Sequence, residues 1–193
     1  MKTRLSLLLI SLLIPLAMIA QSEHLAFKGI PIDGTLRQFS SKLIQKGFTK
    51  LFSENGRAVF QGDFAGYKDC YVAVETLDQK DLVYMVGVVF PDKDQWALLE
   101  GNYNKLKRML TEKYGEPSEV IEEFQSGLEP KTDNEKYYKL VFDECTYKSV
   151  FETDKGRIGL TISHEGVSKC FVVLGYVDRI NGELAEDAAM DDL

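Results

Sequence analysis

The stretch DGTLRQFSSKLIQKGF, residues 33–48, decides the fold because it predicts one amphipathic helix together with both of its ends. Its apolar residues are spaced at i, i+3, i+7 and i+8, which places them on one helical face; they are Leu36, Phe39, Leu43 and Ile44. Thr35 and Gln38 form a capping-box signature at the start, and Gly47 is well placed to end the helix. A helix with one apolar face needs a second layer that covers it.

A second helix of the same kind is predicted between Asp92 and Gly115. Its apolar stripe continues over four turns and consists of Trp96, Leu99, Tyr103, Leu106 and Leu110. Asp92 and Gln95 are typical of a helix start, while Gly115 and Pro117 are typical of a helix end. We interpret Trp96 as a core anchor because it begins the apolar stripe.

The segments that follow each helix alternate or run apolar between turn residues, which predicts strands. After the first helix they are FTKLF (48–52), RAVFQGDF (57–64), KDCYVAVET (68–76) and LVYMVGVVF (82–90). After the second they are SEVIEEF (118–124), YYKLVFDE (137–144), TYKSVFET (146–153), RIGLTIS (157–163) and KCFVVLGYV (169–177). Both lists predict antiparallel meanders with tight turns.

The two halves resemble each other in order and residue type, which predicts an internal repeat. Leu43 matches Leu110 at a separation of 67 residues, whereas Val59 matches Val150 at a separation of 91. The difference requires an insertion of about twenty residues in the second half, and the polar segment 126–136 helps to fill it. The predicted class is α+β, a tandem repeat of a helix plus a four-stranded antiparallel meander. Residues 21–91 and 92–180 form the repeats, and both helices pack on one sheet face.

The first twenty residues, MKTRLSLLLISLLIPLAMIA, have the pattern of a cleaved secretory signal peptide. Lys2 and Arg4 precede a short apolar region that Pro15 interrupts, which predicts no transmembrane segment after cleavage. The expected location is therefore periplasmic or extracellular. Without residues 1–20, the net charge of −7 becomes −9 because two cations are lost. An acidic chain repels phosphate backbones, so nucleic acid is not an expected partner.

The residues that flank the first helix have structural interpretations. In FKGIPIDG, residues 27–34, Pro31 is incompatible with a central strand, and an apolar Ile30 or Ile32 can pack on the first helical turn. At the other end of the chain, residues 181–193 form an acidic tail that we expect to be solvated and loose.

Three phrases carry a resemblance to a known group: FKGIPIDGTLRQFSSKLIQKGF (27–48), GDFAGYKDC (62–70) and LKRMLTEKYGEP (106–117). With the signal peptide, they resemble a group of uncharacterised exported proteins of Bacteroidetes bacteria, and the resemblance covers most of the mature chain. It implies no activity. In element order alone, the architecture is similar to the tandem helix–meander fold of β-lactamase inhibitory protein, which implies neither a site residue nor a function.

The sequence contains no catalytic, cofactor or metal motif that we can assign. His24 and His164 are the two histidines, and neither has the spacing of a metal site. The acid pairs 122–123, 143–144 and 191–192 are adjacent residues, which on a strand point to opposite faces. Cys70, Cys145 and Cys170 allow one disulfide with one buried thiol, or three inert core thiols.

Aromatic residues beside turns are the remaining candidates for a binding surface, although they equally suit a small core. They are Phe64, Tyr67, Tyr71, Tyr137, Tyr138 and Tyr147. The function that these features favour is a non-catalytic binding or interaction module of the bacterial cell envelope, with a protein, peptide or glycan as partner. The alternatives are a small hydrolase without a recognisable motif and a carrier of an apolar ligand.

Overall fold

The computed structural model describes residues 23–77, 80–125, 127 and 129–190. The predicted signal peptide and the last three residues of the acidic tail lie outside these ranges. The helices are α1 (Leu36–Gln45), α2 (Trp96–Tyr114), α3 (Asp133–Val141) and α4 (Arg179–Met190). The strands are β1 (Ala26–Phe27), β2 (Ile30–Pro31), β3 (Thr49–Glu54), β4 (Arg57–Phe64), β5 (Tyr67–Thr76), β6 (Val83–Val89), β7 (Glu119–Phe124), β8 (Cys145–Thr153), β9 (Gly156–Glu165) and β10 (Lys169–Asp178).

Eight of these strands form one antiparallel sheet in the order β3-β4-β5-β6-β10-β9-β8-β7. Its centre is the pairing of β6 with β10, where Gly87 lies opposite Gly175. The short strands β1 and β2 pair separately as a hairpin before α1. The α+β class predicted from the sequence is therefore confirmed.

The ends of α1 and α2 lie close to their predicted positions. The Thr35 side chain accepts a hydrogen bond from the backbone amide of Gln38. The Gln38 side chain in turn accepts one from the backbone amide of Thr35, which completes the capping box. Gly47, at a φ of +91°, follows the last turn of α1. Gln95 provides no side-chain cap for α2. Asp133 instead accepts the amides of Trp96 at 3.1 Å and Ala97 at 2.7 Å, so α3 caps α2 from outside.

The core lies between the sheet and the apolar faces of α1 and α2. Phe39 and Leu43 of α1 and the whole predicted stripe of α2 are buried. They share one apolar cluster with a cross-strand row of the sheet that consists of Phe60, Val72, Val88, Leu174 and Leu160. Tyr103 of α2 reaches the next residue of this row, Ser149, with a hydrogen bond of 2.6 Å. Both helices thus cover the same sheet face.

The hairpin β1–β2 is part of this core. Ile30 and Ile32 are buried, and the Phe27 ring contacts Phe64 and Tyr176. The structural interpretation of FKGIPIDG is therefore supported: the segment packs on the core and then turns into α1.

The prediction that YYKLVFDE is a strand was wrong, because residues 133–141 form α3. Thr132 and Glu135 make a capping box at its start, and Asp133 is held by the α2 amides. The last turn of α3 buries Leu140 and Val141 in the core. The predicted polar insertion 126–136 accordingly ends inside a helix.

The prediction of a loose acidic tail was wrong as far as Met190, because α4 continues directly from β10. Asn181 anchors it: its side-chain amide donates to the carbonyls of Ile32 at 3.1 Å and Val83 at 2.9 Å. The described acidic residues of α4, Glu183, Glu186 and Asp187, remain exposed. Among the described residues, no helix is both long and apolar enough to cross a bilayer.

Candidate functional site

The two histidines lie too far apart to act together. Nδ1 of His24 is 3.0 Å from Oδ1 of Asp178, at the end of β10. His164 pairs with Cys170 near the start of β10. Eight residues of extended strand separate these two positions, which corresponds to about 27 Å. A site that needs two imidazoles is therefore not formed.

His164 has a structural role in the turn after β9. Its Nε2 is 3.0 Å from a carboxylate oxygen of Asp143, and its Nδ1 is 2.9 Å from the carbonyl of Gly166. The hydrogen bond with Asp143, and then that with Gly166, raise the pKa of His164. Because both ring nitrogens face acceptors, neither is left to act as a base in the folded protein.

The two described acid pairs, 122–123 and 143–144, do not form two-carboxylate sites, and the pair 191–192 lies outside the described residues. Glu122 of β7 binds Lys107 of α2, on the helix side of the sheet, while Glu123 lies opposite Thr146. Asp143 contacts His164. Its neighbour Glu144 instead accepts from Lys139. In the described part of the chain, no group of three or more His, Cys, Asp or Glu residues could hold a metal ion.

All three cysteines are free thiols, which agrees with the second of the two predicted arrangements. Burial is the main cause that raises the pKa values of all three thiols. The pKa of Cys70 is raised to about 11 and that of Cys145 to about 12, and the pKa of Cys170 is raised as well. A thiol with a raised pKa stays protonated at neutral pH and is a poor nucleophile. These cysteines therefore behave as core residues.

Most of the candidate aromatic residues also belong to the core. Phe64, Tyr67, Tyr137 and Tyr147 pack against the apolar cluster. Tyr71 is different, since it is 49% exposed on the sheet face that α1 and α2 leave uncovered. Tyr138 is exposed on α3, where its ring stacks on Phe142.

The uncovered sheet face contains a row of four small residues that cross its centre in register. Ala73 lies opposite Gly87, Gly87 opposite Gly175, and Gly175 opposite Gly159. A Cβ atom added at any of the three glycines would meet no atom within 4 Å. The space above this small-residue row is therefore open.

Larger side chains stand on both sides of the small-residue row, because residues two positions away on a strand project from the same face. One wall is formed by Tyr71, Val89, Val173 and Thr161, and the other by Glu75, Met85, Val177 and Arg157. We call the row with its two walls the trough. From strand dimensions, it is about 14 Å long and about 13 Å wide between the Cα rows of its walls.

The charged side chains around the trough are paired with one another. Arg57 lies 3.3 Å from Glu75, Arg157 lies 2.7 Å from Glu152, and Lys148 lies 2.9 Å from Glu119. Each pair joins neighbouring strands, so the ions neutralise one another within the sheet. The centre of the face, by contrast, is mostly aliphatic. An apolar centre within a polar rim is the usual anatomy of a protein interface.

The trough was not found from the sequence, although all of its glycines were visible there. Gly87 and Gly175 lie in the predicted strands 82–90 and 169–177, and Gly159 lies in the predicted strand 157–163. Gly159 and Gly175 lie on consecutive strands, but only the strand register places Gly87, which is 88 residues from Gly175 in the chain, beside them.

Comparison with known proteins returned no match: no family model, no curated protein and no solved structure is significantly similar to this chain.

Proposed function

We propose that this protein is an exported, non-catalytic binding module of the bacterial cell envelope, and that its trough holds an apolar segment of a partner protein. The observation that carries this proposal is the open, in-register row of Ala73, Gly87, Gly175 and Gly159 across the sheet. Large side chains at these positions would fill the sheet face. The signal-peptide pattern of residues 1–20 and the resemblance to exported proteins support the location.

The chemistry of the trough favours a protein segment over a glycan or a nucleic acid. Val89, Val173, Met85 and Val177 supply its central walls, and aliphatic walls bind apolar side chains. The flanking ions are satisfied within the sheet, so they have little reason to bind a charged ligand. The width of about 13 Å between the Cα rows admits one extended chain or the side chains of one helix face.

The described residues favour a binder over the two alternative functions. A hydrolase needs a nucleophile that is hydrogen-bonded to a base. The hydroxyl of Ser41 instead donates to the carbonyl of Arg37, and that of Ser149 bonds with Tyr103. A carrier needs space between helices and sheet. In the described part of the chain, large side chains fill the centre of that layer, among them Phe39, Phe60, Trp96, Leu99 and Tyr103. The open space at its edge, beside α1, is lined by Arg37, Lys50 and Lys80 and so does not suit an apolar ligand.

We also propose that the fold is a tandem repeat of α1-β3-β4-β5-β6 and α2-β7-β8-β9-β10. The strand order supports it, since the two sets of four strands run outward from β6 and β10 in the same sequence. Helices α1 and α2 lie on one sheet face. The β3–β4 turn consists of residues 55–56, whereas residues 125–144 join β7 to β8 and include α3, which accounts for the inferred insertion.

A superposition of residues 35–90 on residues 95–177 tests the repeat. We expect Leu43 to fall near Leu110, Val59 near Val150, and Gly87 near Gly175, because equivalent positions in a duplicated unit retain the same surroundings. Helices that diverge by more than a helix diameter, about 10 Å, would contradict the duplication.

The binding proposal is tested by capture of partners from envelope extract with residues 21–193 as bait. Gly87→Trp and Gly175→Trp should each reduce the captured partner about tenfold, or about 1.4 kcal/mol, because an indole fills the trough. Gly101→Trp is the matched control, since Gly101 lies on α2 and a Cβ there also meets open space. Circular dichroism checks that all variants fold.

Equal capture by the wild type and both trough variants would contradict a role for the trough. So would a loss of capture that Gly101→Trp reproduces. Mass spectrometry of the native chain provides the check on export, since it should begin at or near Gln21.

A further inference from the structure

A cavity lies on the helix side of the sheet, between α1, the β3–β4 hairpin and the β5–β6 connection. Its volume is about 770 Å³, within the usual range for small-ligand sites. Leu36, Arg37, Ser40 and Ile44 line it from α1, and Lys50 lines it from β3. It is separate from the trough, which lies on the opposite sheet face.

The described residues that line the cavity carry a net positive charge, in a protein whose net charge is −7. Arg37, Lys50 and Lys80 line it, and among the lining residues that the structure describes Asp81 is the sole carboxylate. One oxygen of Asp81 accepts the Leu36 amide at 2.8 Å, as a cap of α1. None of the three cations forms an ion pair with a carboxylate in the described part of the chain. The positive charge is therefore available to a ligand.

Ser40 provides a second and independent observation. Ser40 lines the cavity and is 5% exposed, and its buried Oγ has no hydrogen-bond partner among the described residues. A buried hydroxyl without a partner costs about 1–3 kcal/mol. The neighbouring hydroxyls differ, because Ser41 donates to the Arg37 carbonyl and Thr76 to the Gly56 carbonyl. A ligand oxygen in the cavity would satisfy Ser40.

We propose that this cavity binds a small hydroxylated organic anion, a sugar that carries a carboxylate or a phosphate. Arg37 and Lys50 bind the anionic group, since a guanidinium and an ammonium suit carboxylate and phosphate oxygens. Ser40 binds a ligand oxygen, and Leu36 and Ile44 contact the carbon skeleton. Because the site lies on the other face, the module binds this small anion independently of the protein partner proposed for the trough.

The test is a calorimetric and NMR titration of residues 21–193 with glucuronate, glucose 6-phosphate, glucose and inorganic phosphate. At least one of the two anionic sugars should bind saturably and shift the amide signals of Ser40 and Lys50, while glucose should not bind. The sugar that binds more tightly identifies the anionic group. Failure of both, or phosphate binding as tight as that of glucose 6-phosphate with no binding of glucuronate, would overturn the proposal.

Variants assign the binding to this cavity. Arg37→Gln and Lys50→Gln should weaken binding about tenfold each, whereas Lys42→Gln is the matched control because it removes the same charge from α1 outside the cavity. Ser40→Ala should weaken binding about fivefold without lowering the free energy of unfolding, since it removes an unsatisfied group. An equal effect of Lys42→Gln, or no effect of Ser40→Ala on affinity, would overturn the assignment.

Discussion

Replacement of Gly156 by alanine is expected to destabilise the protein by about 4 kcal/mol or more, which is among the largest effects of single substitutions. Gly156 has a φ of +146°, which L side chains rarely adopt. Its Cβ would lie 2.1 Å from the carbonyl oxygen of Val177 and 2.9 Å from the Arg179 amide nitrogen. These are backbone atoms at the junction of β10 and α4, so they cannot move aside as a side chain can.

Urea unfolding followed by far-UV circular dichroism measures this effect. Gly159→Ala is the matched control, because it lies three residues away on β9 and its Cβ meets no atom within 4 Å. We expect that control to change the free energy of unfolding by less than about 1 kcal/mol. Similar effects of both substitutions would show that the close approach at Gly156 is not what limits stability.

Replacement of Asp178 by alanine is expected to lower the free energy of unfolding by about 3–5 kcal/mol. It removes a buried carboxylate and leaves the groups that donate to it without an acceptor. Asp178 is 0% exposed. Its oxygens accept the Leu25 amide at 2.8 Å and the Asn181 amide at 2.9 Å, and one of them lies 3.0 Å from Nδ1 of His24. One side chain thus joins the N-terminal segment to the start of α4.

Thermal unfolding and amide hydrogen exchange test this prediction together. The Asp178→Ala protein should lose exchange protection at Leu25 and in the first turn of α4. Asp33→Ala is the control, since Asp33 is half-exposed and 3.8 Å from the same histidine. It should cost less than about 1 kcal/mol. A loss spread evenly over the sheet would argue against a local role of Asp178.

The predicted helices α1 and α2 were correct because their signals are local. A capping box and an apolar stripe operate within one helix, and neighbouring residues carry all the information. Most strands were correct for the same reason. The run YYKLV was assigned to a strand because its apolar residues are too few to separate the two periods. The capping pair Thr132 and Glu135 is the local signal of this helix.

The remaining features depend on contacts between distant residues. The acidic composition of residues 181–193 predicts a loose tail. Composition does not reveal that the Asn181 side chain donates hydrogen bonds to the carbonyls of Ile32 and Val83. The trough depends on the register of four strands. The cationic cavity combines Arg37 of α1, Lys50 of β3 and Lys80 of the β5–β6 connection. In each case the sequence contained the residues, and the tertiary fold determined their neighbours.

The central pairing of β6 with β10 has a consequence for biosynthesis. Gly87 and Gly175 are 88 residues apart in the chain, so β6 has no partner on one side until almost the whole protein has been made. Until then, β6 is an exposed apolar edge, and such edges pair with other chains. Pairings this distant in sequence also form slowly. If the chain is exported unfolded, as we propose, it meets this problem beyond the cytoplasmic membrane, where β10 is the strand that protects the first half from aggregation.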